Sequence, residues 1–124
     1  MYRILVVDEE LNIRQFYQEV FESIGYLVVT SDGQKPILSL LDQEKPDLLI
    51  LDINPAKGNS ARKLLRELRS LRIGLPVILS TSLEEGFNND LKSQLNDDYY
   101  VINTQDIEPL LNRVQEILPT GMKL

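Results

Sequence analysis

Polar side chains suited to metal binding and phosphoryl chemistry follow four of five short apolar runs in this 124-residue chain. The candidates are Asp8 and Glu9 after the first run, Asp52 and Asn54 after the third, Thr81 after the fourth and Asn103 after the fifth. Carboxylates held close together repel one another at reduced dielectric, so such a cluster usually binds a cation or keeps a proton. A hard divalent ion that prefers oxygen ligands, Mg²⁺ foremost, would relieve this repulsion.

The apolar runs that precede these residues predict buried strands. They cover 4–7, 27–29, 48–51, 77–79 and 99–102. They do not alternate with polar residues, which is typical of parallel strands covered on both faces. Since the functional crevice of an open parallel sheet lies at the carboxyl ends of its strands, the polar residues should meet at one edge.

Stretches with helical periodicity separate the strands. Apolar residues at helical spacing predict helices over 13–24, 64–71 and 107–118, with Gly25 as the stop of the first. A second helix is expected over 34–43, where Pro36 is tolerable only in the first turn. A fourth, over 84–94, is rich in poor helix formers and should be the least stable.

Strands that alternate with helices predict an α/β fold. We expect a flavodoxin-like (βα)5 three-layer sandwich around a five-stranded parallel sheet of order 2-1-3-4-5. The length suits a single domain over residues 1–124, in which 119–124 form a tail or the start of a linker.

Composition excludes several classes of function. The net charge of −6 gives no basic surface for nucleic acids or anionic lipids. The chain has no Cys and no His, so it lacks thiolate metal sites and the commonest general base. No segment is typical of a signal peptide or a membrane span, and we expect a cytoplasmic protein without membrane contact.

Three segments together resemble the receiver domain of two-component response regulators. Ile4 to Glu10 is similar to the opening strand with its acidic pair, Pro46 to Asn54 to the phosphoacceptor strand, and Pro76 to Ser82 to the switch strand. No single motif is strong. Their order and spacing over nearly the whole chain make the resemblance specific.

The resemblance implies a role for each matching residue. Asp8 and Glu9 match the acidic pair that holds Mg²⁺ directly or through water, and Asn54 matches the position whose backbone carbonyl completes the metal shell. Asp52 matches the nucleophile that becomes an aspartyl phosphate. Thr81 matches the switch hydroxyl, and Tyr100 matches the switch aromatic. The implied partners are a sensor histidine kinase or phosphotransfer protein and a downstream protein or domain. A homodimer through the fourth helix and fifth strand is also expected. Such a protein is no conventional enzyme and at most phosphorylates and dephosphorylates itself at Asp52.

The sequence departs from the family at two places. Asn103 stands where the family has a Lys, so a neutral donor replaces the ammonium group that pairs with the phosphoryl group. The loop after Asp52 has Pro55 and Gly58 closer to the Asp than usual, and Lys57 within it is a candidate replacement charge. Loss of one preorganised donor typically slows a reaction about 10²- to 10³-fold.

Simpler interpretations stay open beside the functional ones. Asp8 and Glu9 could cap the first helix in solvent, Asp52 could end its strand, Thr81 could satisfy backbone groups, and Tyr100 could be packing alone. At the level of the whole domain, the alternative to a phosphorylated switch is a degenerate receiver that binds partners without phosphorylation. An unrelated flavodoxin-like small-molecule binder is a third hypothesis, although no Gly-rich phosphate loop follows the first strand.

Overall fold

A computed structural model describes residues 1–52, 75–81, 99–103 and 107–120, with 81 and 99–103 described by backbone alone. Five parallel strands form one sheet of order β2-β1-β3-β4-β5. The strands are β1 (Arg3–Val7), β2 (Leu27–Ser31), β3 (Leu48–Asp52), β4 (Val77–Thr81) and β5 (Tyr99–Asn103). The predicted strands and their order are therefore confirmed. The predicted helices over 64–71 and 84–94 lie outside the described residues.

Burial along the strands follows their place in the sheet. In β1 and β3 the apolar residues are buried on both faces, as their unbroken apolar runs predicted. The residues of β2 are only partly covered, and Leu27 is 44% exposed. Because β2 lies at the edge of the sheet, it has one strand neighbour and needs less apolar surface.

The helix α1 (Leu11–Ser23) follows β1 and turns its apolar stripe to the sheet. The helix ends at the predicted glycine: Gly25 has φ 101°, a conformation that costs little without a Cβ. The Gly25 N–H donates to the Glu22 carbonyl at 3.2 Å, and the Tyr26 N–H donates to the Phe21 carbonyl at 3.1 Å. These bonds satisfy carbonyls that the helix end would otherwise leave unpaired.

The helix α2 (Ile37–Glu44) begins three residues later than the predicted residue 34. Pro36 precedes the first helical residue with an extended ψ of 137°, and a proline ring also disfavours helical conformation in the residue before it. The helix therefore starts after Pro36 rather than around it. At the other end, Lys45 takes the left-handed conformation with φ 47° and donates its N–H to the Leu41 carbonyl at 2.9 Å.

The helix α3 (Ile107–Ile117) packs with α1 on one face of the sheet. Its Pro109 falls in the first turn, where no helical hydrogen bond needs its missing N–H. The cluster between these helices and the sheet consists of buried residues: Ile4, Val6, Tyr17, Phe21, Ile24, Tyr26, Leu48, Ile50, Ile78, Leu110, Leu111, Val114 and Leu118. We call it the α1/α3 core. Tyr26, which directly precedes β2, donates its hydroxyl to the Leu118 carbonyl at 2.5 Å at the end of this core away from the carboxyl edge.

The strand register aligns the polar residues at the other end of the sheet. Val7 pairs with Leu51, and Asp52 pairs with Ser80. Thr81 pairs with Asn103 one step further along. The carboxyl ends of β1, β3, β4 and β5 therefore meet at one edge, as the sequence predicted. Within the described ranges, none of the helices combines the length and the apolar character needed to cross a membrane.

Candidate functional site at the carboxyl edge of the sheet

Asp8 is a buried carboxylate at the end of β1, with 6% of its surface exposed. Its N–H donates to the Ser31 carbonyl of β2 at 3.0 Å, which continues the strand ladder through this residue. Its Oδ1 accepts the Glu10 N–H at 2.9 Å, a short turn that leads the chain into α1. Strand pairing on one side and the turn on the other thus fix both the backbone and the carboxylate.

Asp52 is the last residue of β3 and is partly buried. Because Val7 pairs with Leu51 in parallel strands, Asp52 ends β3 at the same level at which Asp8 follows β1. Neighbouring strands are about 4.8 Å apart, so these two carboxylates are adjacent across the strand pair. Two negative charges in a partly desolvated place repel each other, and an all-oxygen donor pair of this kind suits a hard cation such as Mg²⁺.

Glu9 differs from Asp8 because its side chain is exposed. Arg14 of α1 holds the backbone of Asp8 and Glu9 in place. One guanidinium nitrogen, Nη1, donates to the Asp8 carbonyl at 2.7 Å and to the Glu9 carbonyl at 3.0 Å. Over the ranges that the structure describes, no three acidic side chains form a group that could hold a metal by itself. Asp8 and Asp52 are thus brought together, whereas a role for Glu9 stays a prediction.

The remaining predicted site residues are either described by their backbone alone, as Thr81, Tyr100 and Asn103 are, or lie outside the described residues. Thr81 ends β4 directly beside Asn103, which ends β5. Asn103 therefore lies at the carboxyl edge of the sheet, and its replacement of a family Lys stays a prediction. Tyr100 pairs with Ile78, three residues before that end. Asn54 and Lys57 lie outside the described residues.

Tyr17 is a residue of this site that the sequence did not reveal. It was one member of the apolar stripe of α1, and the structure does bury it, with 6% exposed and its ring 5.9 Å from that of Phe21. Its hydroxyl, however, hydrogen-bonds the side chain of Ser80 and lies within electrostatic range of Asp8 and Asp52. The signal available in the sequence was a hydroxyl-bearing residue in the stripe together with Ser80 in an otherwise apolar strand.

The surroundings of Tyr17 keep it a neutral phenol. Burial raises the pKa of Tyr17 above its usual value, the hydrogen bond with Ser80 acts in the opposite direction, and the charges of Asp8 and Asp52 raise the pKa further. A phenol that holds its proton beside two carboxylates is a hydrogen-bond donor. On the α1 side, the acidic edge therefore has the protonated Tyr17 hydroxyl near it and not only apolar side chains.

The sheet is parallel with order 2-1-3-4-5, and Asp8 and Asp52 lie at the point where the strand order reverses. These features define a doubly wound α/β domain whose chemistry lies at that edge. Residues 4–115 match the family model described as the response regulator receiver domain. The chain belongs to this family. The resemblance stated from the sequence and the flavodoxin-like fold are both confirmed.

Individual relatives agree with this assignment. The chain is 31% identical over 116 residues to the alkaline phosphatase synthesis transcriptional regulatory protein PhoP of Bacillus subtilis, covering 94% of this chain and 48% of that protein. It is 33% identical to the crystal structure of response regulator protein TrrA from Thermotoga maritima in complex with Mg(2+)-BeF, covering 95% of this chain and 100% of that one, with a TM-score of 0.76.

A second solved structure is the BeF3-activated N-terminal receiver domain of Klebsiella pneumoniae RstA. Its identity to this chain is 27%, its TM-score is 0.74, and the match covers 95% of this chain and 99% of that one. The chain spans about half the length of the curated relatives it matches.

Proposed function

We propose that this receiver domain accepts a phosphoryl group on Asp52 with the help of Mg²⁺ and thereby switches a surface that binds a partner. The observation that carries the proposal is the placement of Asp52. It is a partly buried carboxylate at the end of β3, beside the buried and anchored Asp8. The relative from Thermotoga maritima crystallised with Mg(2+)-BeF at 33% identity supports the same chemistry here.

The transfer step needs few protein groups. A carboxylate oxygen of Asp52 attacks the phosphorus of a phosphohistidine or an acyl phosphate and forms a new O–P bond. The P–N bond to imidazole, or the P–O bond to the acyl group, breaks, and the leaving group departs with the electron pair and gains a proton where it is an imidazole. Such transfers depend on position and charge stabilisation more than on a strong base, so the absence of His is no obstacle.

The residues that would hold Mg²⁺ are Asp8, Asp52, Glu9 directly or through water, and the backbone carbonyl of Asn54. Two adjacent carboxylates on neighbouring strands fit a hard cation with oxygen ligands. Mg²⁺ would supply positive charge to the phosphoryl oxygens. Thr81 would hydrogen-bond the phosphoryl group, and Tyr100 would turn inward with it.

The partners follow from this chemistry. The donor would be a sensor histidine kinase or a phosphotransfer protein, and the recipient of the signal a downstream protein or domain. A homodimer through the predicted helix over 84–94 and β5 is part of the proposal. The net charge of −6 argues against direct nucleic-acid contact by this domain. Residues 1–124 would act as one domain in the cytoplasm, with no turnover beyond self-phosphorylation and dephosphorylation.

One experiment tests the proposal directly. The protein is incubated with Mg²⁺ and an acyl phosphate, and the intact mass is measured. We expect a shift by one phosphoryl group that is absent in Asp52→Asn and present in Asp42→Asn, which removes the same charge from an exposed position of α2. No shift in the wild type, together with no saturable Mg²⁺ binding, would overturn the proposal.

The second candidate is a degenerate receiver that binds its partner without phosphorylation. The observation in its favour is Asn103, which ends β5 next to Thr81 of β4. The resemblance to the family implies a Lys at this position. Lys57 could replace the missing charge, and a Lys57→Ala variant with unchanged phosphorylation would remove that idea. The two functions are separated by Asp52→Asn: a degenerate receiver keeps its partner binding in this variant, whereas a phosphorylated switch loses its response to the phosphoryl donor.

A further inference from the structure

The side chain of Arg14 folds back from α1 onto the turn of Asp8, Glu9 and Glu10, which we call the acidic loop. Its Nη1 donates to the Asp8 carbonyl at 2.7 Å and to the Glu9 carbonyl at 3.0 Å. A guanidinium nitrogen of this kind carries two N–H groups, so it can serve two successive carbonyls at once. A cation in the first turns of a helix is unfavourable because of the helix dipole, and these charge-assisted contacts offset that cost.

Further hydrogen bonds hold the acidic loop on both sides. The Asp8 N–H donates to the Ser31 carbonyl at 3.0 Å, and Asp8 Oδ1 accepts the Glu10 N–H at 2.9 Å. The Arg14 N–H donates to the Glu10 carbonyl at 3.1 Å. All three backbone carbonyls of the loop therefore accept a hydrogen bond from Arg14, two from its side chain and one from its backbone.

The backbone oxygens of such a loop matter because divalent cations differ in how many of them they use. Ca²⁺ takes about six to eight oxygen ligands in a flexible geometry that often includes backbone carbonyls, whereas Mg²⁺ needs only one or two carboxylates and water in a strict octahedron. A carbonyl oxygen 2.7 Å from a guanidinium nitrogen is a poor ligand for a second cation, because the two positive charges repel each other. The acidic loop therefore offers a metal its carboxylates rather than its backbone.

We infer that Arg14 determines the metal specificity of the acidic edge: by holding the loop carbonyls it favours Mg²⁺ over Ca²⁺. The inference rests on the proposed function and concerns only which cation Asp8 and Asp52 bind. Because Asp8 is buried, the site could widen for a larger ion only if the loop backbone moved, and Arg14 holds that backbone. Arg14 does not contact the metal. It acts by withholding two oxygens that Ca²⁺ would recruit and by keeping the loop rigid.

The test measures the Kd of Mg²⁺ and the Kd of Ca²⁺ by isothermal titration of the metal-free protein. In the wild type we expect Mg²⁺ to bind more tightly. Arg14→Met should weaken Mg²⁺ binding about three- to tenfold and strengthen Ca²⁺ binding about two- to threefold, so the preference for Mg²⁺ should fall about tenfold. Loss of a positive charge changes both affinities alike, because the two ions carry the same charge. The ratio of the two constants therefore reports the ligands and the rigidity of the loop.

Two further variants and a metal-free measurement complete the experiment. The matched control is Arg113→Met, which removes the same side chain from an exposed ion pair with Glu116 on α3 and should leave the ratio unchanged. Arg14→Lys keeps the charge, but its flexible ammonium group holds two carbonyls less firmly, so the ratio should fall about threefold. In the presence of a chelator, the Glu10 N–H that bonds the Asp8 carboxylate should exchange with solvent about three- to tenfold faster in Arg14→Met than in the wild type.

Each outcome decides between the inference and its alternatives. An unchanged ratio in Arg14→Met, or equal weakening of both ions, would overturn the inference, since a residue that only supports the fold affects both ions alike. Unchanged exchange of the Glu10 N–H would also overturn it, because Arg14 would then not hold the loop. A wild type that binds neither ion would overturn the metal-dependent function and the inference together, whereas one that binds both ions with equal affinity would overturn the inference alone.

Discussion

Removal of the Asp52 charge should stabilise this domain in the absence of metal. Asp52 and Asp8 end adjacent parallel strands, and Asp8 is buried. In the folded state the two charges are held together, whereas in the unfolded chain they are separated by more than forty residues and by water. Asp52→Asn keeps the size and shape of the side chain and removes one charge, so its main effect is on this repulsion.

The magnitude follows from the strand geometry. Carboxylates about 5–6 Å apart at an effective dielectric constant of about 20 repel by about 3 kcal/mol. Solvent screens part of this because Asp52 is only partly buried. We expect a net increase of about 1–2 kcal/mol in the free energy of unfolding, or about 4–8 °C in Tm for a domain of this size.

Urea unfolding in buffer with a chelator measures this difference, and Asp42→Asn is the control because it removes a charge from the exposed face of α2. Mg²⁺ at ten times its Kd should then stabilise the wild type by about 1.4 kcal/mol and the Asp52→Asn variant by much less. An Asp52→Asn variant that is no more stable than Asp42→Asn would show that the two carboxylates do not interact. Equal stabilisation of both proteins by Mg²⁺ would place the metal elsewhere.

Three further predictions concern the supports of the site and the core. Arg14→Met should weaken Mg²⁺ binding about three- to tenfold, because the loop that carries Asp8 loses two charge-assisted hydrogen bonds. Isothermal titration measures the Kd for Mg²⁺, and an unchanged Kd would contradict the prediction. Asn103→Lys should speed phosphorylation by an acyl phosphate up to about 10²-fold by restoring a charged donor, and a mass-spectrometric time course that shows no gain would count against the assigned position of Asn103. Tyr26 should lower the stability of the protein at high pH, because burial raises the pKa of Tyr26 above its unfolded value of 10.0. The stabilisation that Tyr26 gives the folded state is therefore complete below about pH 10 and is lost as the pH rises through the folded pKa. The difference in unfolding free energy between wild type and Tyr26→Phe should therefore shrink above pH 10, and a constant difference would contradict the assignment.

The sequence predicted the elements of the fold well where a local pattern decides them. Unbroken apolar runs identified the strands, and the helical stripe with Gly25 identified the end of α1, because burial on both faces and a positive φ each demand particular residue types. The start of α2 was predicted three residues early. There the apolar pattern gave no boundary, and the backbone restriction at Pro36 decided it.

The sequence by itself determined which residues meet at the carboxyl edge, since strand order and polarity alone bring Asp8, Asp52, Thr81 and Asn103 to one end of a parallel sheet. It could not tell that Asp8 is buried and anchored while Glu9 is exposed. It also read Tyr17 as a core residue only, because helical spacing reports which face a side chain occupies and not what its far end reaches. Only the tertiary structure brings that hydroxyl to Ser80 and within electrostatic range of Asp8 and Asp52, since the contact joins α1 to β4 across more than sixty residues of chain.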